Sequence, residues 1–408
     1  MAWAADVTFH KDVEPVLQKN CQTCHRPGEV APMSLLSYQE ARPFARAIKA
    51  AVVQKKMPPW FSNPKDGHFA NEKFLTPAEI DTLSAWADSG APEGNVNDAP
   101  PPVKFPEGWA IAQPEIVVEM QQEQHIAATG LVDNYYIIVP GNFQEDTWVT
   151  AAEVRPSNKA NTHHMRVWVR PPNSGWLAGA PLGTPVPLGY RAPGAAARPA
   201  AGGQTQEIIA KYNPGLEPMY FGLEGAAKLI PKGSDIVFET HYTTNGKAAT
   251  DRSKIGFQLA KATPEKRYFT SGGLGANRIE IPPGDPNYEA RGAVTLDHDM
   301  KLAWLQPHMH IRGKDYTLTA VYPSGEREVL LKTDYDFEWQ IGYQFPKPKL
   351  LPKGTRLLGV SHFDNSANKR ANPDPTATVR WGLQSTDEMS LIYMGLIIDR
   401  DMDASKLF

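Results

Sequence analysis

The chain has 408 residues, enough for two or three domains that each bury a core, and its formal net charge of −3 gives no cationic footprint for nucleic acid or an anionic membrane. Charged residues make up 21% and hydrophobic ones 41%, an ordinary globular balance, and no run of eighteen apolar residues offers a membrane span. With 37 prolines and 32 glycines, the chain is punctuated more densely than a helix bundle tolerates, which points to a loop-rich, strand-rich body.

At the start, Met1-Ala-Trp-Ala-Ala reads as the tail of a removed signal peptide behind an added methionine, because small residues mark such cleavage sites. Residues 1–97 are expected to form a mostly helical domain. Thr8 is a candidate N-cap, and Phe9, Val13, Val16 and Leu17 follow helical spacing into Cys21. Cys21-Gln-Thr-Cys24-His25 is the covalent haem pattern: two thiols form thioethers and the adjacent His25 becomes the proximal iron ligand. Both cysteines belong to this motif, so none remains for a structural disulfide. Met57, in Lys-Lys-Met57-Pro-Pro-Trp60, is the expected sixth ligand, held by the prolines that follow, with Met33 and His68 as rivals. Thr76-Pro-Ala-Glu79 predicts a capped helix with Ile80, Leu83 and Trp86 on its apolar face. Haem is attached to such motifs outside the bacterial cytoplasm, so the expected address is periplasmic or secreted.

A proline-rich linker is expected over 98–115. Beyond it the pattern changes to short β-prone runs, such as Tyr135–Val139, Arg166–Val169, Ile236–Glu239, Tyr316–Val321 and Leu391–Ile398, many bounded by Pro, Gly or Asn. The span is too long for one small sandwich, so two all-β sandwich domains are expected, at 116–265 and 266–408. Residues 172–218 are rich in Gly, Ala and Pro and read as either a functional lid or a surface excursion.

The histidines carry the chemistry. In Gln306-Pro-His308-Met-His310, strand alternation turns both imidazoles to one face, and a methionine such as Met389 in Asp387-Glu388-Met389 completes a site of two nitrogens and one sulfur. Imidazole suits copper, and a thioether favours the cuprous state. His163-His164 with His241 supply a second, all-nitrogen site. Asp387 or Glu388 is expected to hold an imidazole's other nitrogen. His362, ahead of the Asx-rich stretch from Asp364 to Asp374, reads as a cation site or, more simply, as a neighbour of turns. Asp334–Trp339 reads as cleft lining or a solvated strand edge.

Thr162-His163-His164-Met165, Thr240-His241-Tyr242, His308-Met-His310 and Asp387-Glu388-Met389 together resemble the copper type II, ascorbate-dependent monooxygenases, the family of peptidylglycine hydroxylating monooxygenase and dopamine β-monooxygenase. The front segment resembles bacterial cytochrome c modules fused to such domains. The resemblance implies an all-α cytochrome c domain followed by two jelly-roll-like copper sandwiches facing each other across a solvent-filled cleft. It implies that His163, His164 and His241 bind an electron-storing copper. It also implies that His308, His310 and Met389 bind the copper at which O2 and a small-molecule substrate meet, near Tyr393, with hydroxylation of an unactivated C–H bond. A periplasmic electron donor or an ascorbate-like reductant is the implied partner. The chain departs from the family in lacking spare cysteines. Gln306 and Leu391 stand where the peptide-amidating members place arginine and asparagine, so peptidylglycine is not the expected substrate. The competing expectation is a copper-binding electron-transfer or sensor protein without turnover; a third is that the histidines are satisfied core residues.

Overall fold

A computed structural model describes residues 7–63, 65, 67–105, 108–191, 207–215, 217–276, 278–404 and 407. The Met1–Ala5 segment and positions 192–206 of the Gly/Ala/Pro-rich stretch lie outside the described residues. Strand accounts for 38% of the described residues and helix for 12%. The expectation of an all-α cytochrome c domain is therefore corrected: the chain is mainly β, which is consistent with the expected β-sandwich content. Among the described residues, only the helices Ala45–Val53 and Pro77–Asp88 exceed seven residues. Residues 21–37 and 54–63 form no helix. Pro27-Gly28, Pro32 and Pro58-Pro59 fall there, where missing N–H donors and glycine freedom break a helical ladder.

The chain divides into two compact units, one comprising the residues up to Trp60 with Asn71–Gly108, the other Phe61–Ala70 with Trp109–Phe408. In the first, Phe9, Val13 and Leu17 pack with Ile48, Val52, Leu83 and Trp86. The predicted capping box forms: Thr76 Oγ1 accepts from Glu79 N at 3.2 Å and Glu79 Oε2 accepts from Thr76 N at 2.7 Å. Thr8 makes no side-chain cap; its own N–H donates to Asp12 at 2.8 Å.

The second unit is built on a nine-stranded sheet. Its path runs Ile116–Glu119, Lys254–Leu259, Thr147–Arg155, Ala226–Ile230, Lys266–Gly275, Leu391–Asp399, Met300–His308 and Tyr343–Leu351, with Met219–Tyr220 pairing off Thr147–Arg155. A five-stranded sheet containing Thr162–Arg170 and Asp235–Tyr242 packs on it, and Val149, Ala152, Val154 and Phe257 meet Val167, Val169, Ile236 and Phe238 in one core. Alternating burial along these strands follows from side chains pointing to opposite faces. A four-stranded sheet, ordered Tyr288–Thr295, Arg356–Phe363, Gly313–Val321 and Arg327–Asp334, completes the unit. It approaches the large sheet so closely at Gly292 that a Cβ there would stand 2.6 Å from the Gly275 carbonyl oxygen.

The break expected at 265/266 falls inside this unit. Lys266 and Arg267 pair in parallel with Ala226 and Ala227, so one sheet runs through both segments. Lys228, fully buried, donates to Glu207 at 2.5 Å and to Thr270 at 2.7 Å, and Arg267 donates to the other Glu207 oxygen at 2.9 Å.

Candidate metal centres

His163 and His164 are adjacent, and in a regular strand they would face opposite ways. A register shift lets them converge: His241 pairs with His164, whereas Tyr242 pairs with Thr162, which leaves His163 as the bulged residue. His163 Nδ1 and His164 Nε2 each lie 3.3 Å from His241 Nδ1, and the ligand atoms of all three fall within 4.8 Å of one another. Three nitrogens this close suit a cation better than mutual hydrogen bonding. His164 Nδ1 is buried with no hydrogen-bond partner. Burial, with the nearby Arg166 and other histidines adding to it, holds His164 well below the usual imidazole range. Burial, reinforced by His163, pushes His241 down to about 3. Both rings are therefore neutral at pH 7 and present lone pairs.

The second set forms where the strand Met300–His308 ends. Both imidazoles are buried, with ring centroids 5.2 Å apart. His308 Nδ1 faces Gln340 Oε1 at 2.9 Å, and His310 Nδ1 faces the Asp387 carbonyl at 3.2 Å, which leaves each Nε2 as the acceptor, that of His308 already approached by Arg166. Burial, with Arg166 next in size, holds His308 well below its ordinary value and His310 at about 4. Met389 is buried two residues before Leu391, the register partner of His308. Glu388 brings the two segments together, because its carboxylate accepts from His310 N at 2.9 Å, Arg312 N at 2.7 Å and Met389 N at 3.3 Å. Burial pushes its carboxyl up to about 7 against those three bonds. The expected role of Asp387 or Glu388 is thus met by the Asp387 backbone for His310, and by Gln340 rather than either acid for His308. Tyr393 lies beside His308, with ring centroids 6.0 Å apart, and burial raises its phenol, so it is a protonated hydroxyl.

Several residues around these sets carry no motif. Arg166 and Glu239 lie two positions from His164 and His241 on paired strands, on the same faces, and form an ion pair. Arg166 Nη2 reaches His308 Nε2 at 2.9 Å. Lys211 donates to Gln306 Oε1 at 2.7 Å, and its ammonium lies 3.1 Å from the Tyr393 ring centroid. Burial, then repulsion from Arg166, holds its pKa well below the lysine range. Period-two alternation around the histidines could have singled out Arg166 and Glu239. Nothing local marks Lys211. The half-buried Arg166 links the two histidine sets.

Other sequence expectations sit apart from these sets. His362 pairs with Asp315 at 2.7 Å on the four-stranded sheet. Asn365, fully buried, donates to Pro282 O and Ala377 O and accepts from Arg312, knitting turns together. Cys21 and Cys24 are not joined in a disulfide. Burial, with Cys24 adding to it, raises Cys21 to about 12, so it is no thiolate at neutral pH. His25 Nδ1 is buried without a hydrogen-bond partner. Met33 packs on the core cluster that Cys21 also touches, and Met57 is partly buried at a cis Met57–Pro58 bond. A cavity of about 980 Å³, lined by Val118, Asn142, Phe143, Trp148 and Leu259 among others, contains none of the site histidines.

No protein-family model matches this chain, and no curated protein matches it. Among solved structures it is similar to the infectious bursal disease virus Gx strain, at 8% identity over 75% of this chain and 77% of that chain, with a TM-score of 0.17. It is also similar to the tandem CBM22-1–CBM22-2 domain of Paenibacillus barcinonensis Xyn10C, at 9% identity over 70% and 93%, with a TM-score of 0.16. At these scores neither likeness carries an argument about this chain. No helix among the described residues is long and apolar enough to cross a membrane.

Proposed function

We propose that this protein is a periplasmic haem- and copper-containing monooxygenase that hydroxylates a C–H bond of a small molecule. The overall balance is one substrate C–H, one O2, two electrons and two protons giving one C–OH and one water. When bound, copper supplies one-electron chemistry and O2 reduction, and haem supplies electron entry. The observation that carries the reading is the convergence of His163, His164 and His241 within 4.8 Å, with the buried His308–His310 pair and Met389 in the same unit.

In this reading His163, His164 and His241 would hold one ion, and His308, His310 and the Met389 thioether would hold the other, with Arg166 yielding its place at His308. Burial keeps His164, His241, His308 and His310 neutral, so no proton has to leave these four before a metal binds. Glu388 fixes the backbone of His310 and Met389 relative to each other. Tyr393 offers its hydroxyl beside His308 for orienting a substrate. Cys21 and Cys24 would be the attachment points for haem, and His25, whose Nδ1 is buried without a partner, would be an iron ligand, with Met57 or Met33 as the candidate second one.

The test is the reoxidation rate of ferrous haem by O2 with and without copper. Copper-dependent acceleration that disappears in His163→Ala and in His308→Ala supports the reading. No copper dependence removes the haem from the path, and Cys21→Ala should abolish covalent haem outright.

A second reading, electron transfer or sensing without turnover, draws on a specific observation. Phe337 stacks on His163 with ring centroids 4.9 Å apart, Arg166 caps His308, and the 980 Å³ cavity lies elsewhere. Substrate-dependent O2 consumption separates the two.

A further inference from the structure

We infer that one loop, Tyr335–Gln340, selects which ring nitrogen a histidine of each set turns inward, and is thus a positioning element common to both. The inference rests on the reading of the two sets as metal sites. The loop carries the chain from the strand Arg327–Asp334 of the four-stranded sheet to Tyr343–Leu351 of the nine-stranded one, and Asp336 and Trp339 bridge across its base.

Four side chains of this short loop reach the sites. Glu338 Oε2 stands 3.3 Å from His163 Nε2, within ion-pair range though off the ideal hydrogen-bond line. The Phe337 ring stacks on His163 at 32° and lies 6.3 Å from the His241 ring. Gln340 Oε1 lies 2.9 Å from His308 Nδ1, and the Gln340 carbonyl accepts from Gln306 Nε2 at 2.6 Å. The Tyr335 hydroxyl donates to the Met309 carbonyl at 2.5 Å, between the two histidines of the second set.

A neutral imidazole has one N–H and one lone pair, so the partner of one nitrogen decides the role of the other. A carboxylate can only accept, which places the His163 proton on Nε2 and its lone pair on Nδ1, the atom that meets His241. The amide oxygen of Gln340 likewise places the His308 proton on Nδ1. Arg166 Nη2 lies 2.9 Å from His308 Nε2 and 3.2 Å from its Nδ1, so the assignment rests on Gln340. The tautomer in each set thus follows from Glu338 and Gln340, two residues apart on the same loop. Glu338 is largely exposed, so its removal deletes an acceptor without opening a core.

The experiment uses the full chain with ¹⁵N-labelled histidine. Long-range ¹H–¹⁵N correlation spectra of the copper-free protein report the ring tautomers. Chelator competition and the Cu(II) electron paramagnetic resonance spectrum report each loaded site. Glu338→Ala should turn His163 into a tautomer mixture and weaken the first copper about 10- to 100-fold, with the second spectrum unchanged. Gln340→Ala should do the reverse. Glu338→Gln and Gln340→Glu, which keep an acceptor, should restore both readouts. Unchanged tautomers in both alanine variants overturn the inference, as does an equal loss at both sites together with near-ultraviolet dichroism. If the chain takes up no copper, the metal reading fails, but the tautomer spectra still decide the role of the loop.

Discussion

Arg166 and His308 are 142 residues apart in sequence and 2.9 Å apart in space, guanidinium nitrogen to imidazole Nε2. Arg166 follows the His163–His164 pair on one strand, and its charge is balanced by Glu239, two residues before His241 on the neighbouring strand. Glu239 is held in turn by the Trp168 indole at 2.9 Å. The strands that carry the first histidine set therefore hold a half-buried cation against the second.

Breaking this pair should be costly. Arg166→Met leaves the Glu239 carboxylate buried and uncompensated, and losing one partner of a buried ion pair costs about 3–5 kcal/mol. Arg166→Met with Glu239→Gln should recover much of that loss. The urea denaturation midpoints of the two singles and the double variant measure the coupling, and simple additivity would disprove it.

Met389 should matter to the reduced metal more than to the oxidised one. Met389→Ala is expected to lower cuprous affinity at the second set at least about tenfold, because the soft thioether is the ligand that favours Cu(I). His163→Ala should instead remove one equivalent from the first set. Competition with a chromogenic cuprous chelator distinguishes these outcomes.

Glu388 satisfies three backbone N–H groups at once. Glu388→Ala leaves those of His310, Arg312 and Met389 without their acceptor, at a cost of about 1–3 kcal/mol for each that stays dry. Glu388→Gln retains an acceptor oxygen and should lose less. Thermal unfolding compared with second-site copper affinity tests whether stability and ligand placement fall together.

Acid should destabilise the copper-free protein. His241 and His310 have folded values near 3 and 4 against an ordinary 6.5, and His164 and His308 are also held well below it. Below pH 6.5 the unfolded chain takes up protons that the folded chain refuses, so stability drops as pH falls towards 4, by up to about 1.4 kcal/mol per unit for each such histidine. Glu388, raised to about 7, works in the opposite sense between 7 and 4.5, one group against four. Urea midpoints at pH 7.5, 6 and 5 should fall steadily; a flat profile would contradict the buried, neutral histidines.

The local devices of the fold were legible before the structure. The Thr76–Glu79 capping box, the strands at Tyr135, Arg166, Ile236, Tyr316 and Leu391, and the grouping of His163, His164 and His241 each follow from spacing within a few residues, or from residue types with a shared chemistry. Apolar spacing marks the helices around Phe9–Leu17 and Ile80–Trp86, but it does not extend to an all-α domain across Pro27-Gly28 and Pro58-Pro59, where the chain forms no helix. The partners of the imidazoles were hidden for a different reason. Gln340 lies 32 residues from His308 and Glu338 lies 175 from His163, and no periodicity links positions joined only by the path of the chain between sheets. The Asp334–Trp339 stretch, whose composition fits either cleft lining or a strand edge, lies at the first histidine set through its contacts with His163.

The parallel seam at Ala226–Ala227 and Lys266–Arg267 has a consequence for how this chain can be divided. Cleavage after residue 265 would leave each fragment with an unpaired strand edge, and it would separate the fully buried Lys228 from Thr270, and Glu207 from Arg267. Bare strand edges invite pairing with other chains, and stranded buried charges resist refolding. The two histidine-bearing segments are therefore not interchangeable modules. They should be inherited, synthesised and degraded together, and neither should survive alone in solution as a monomer.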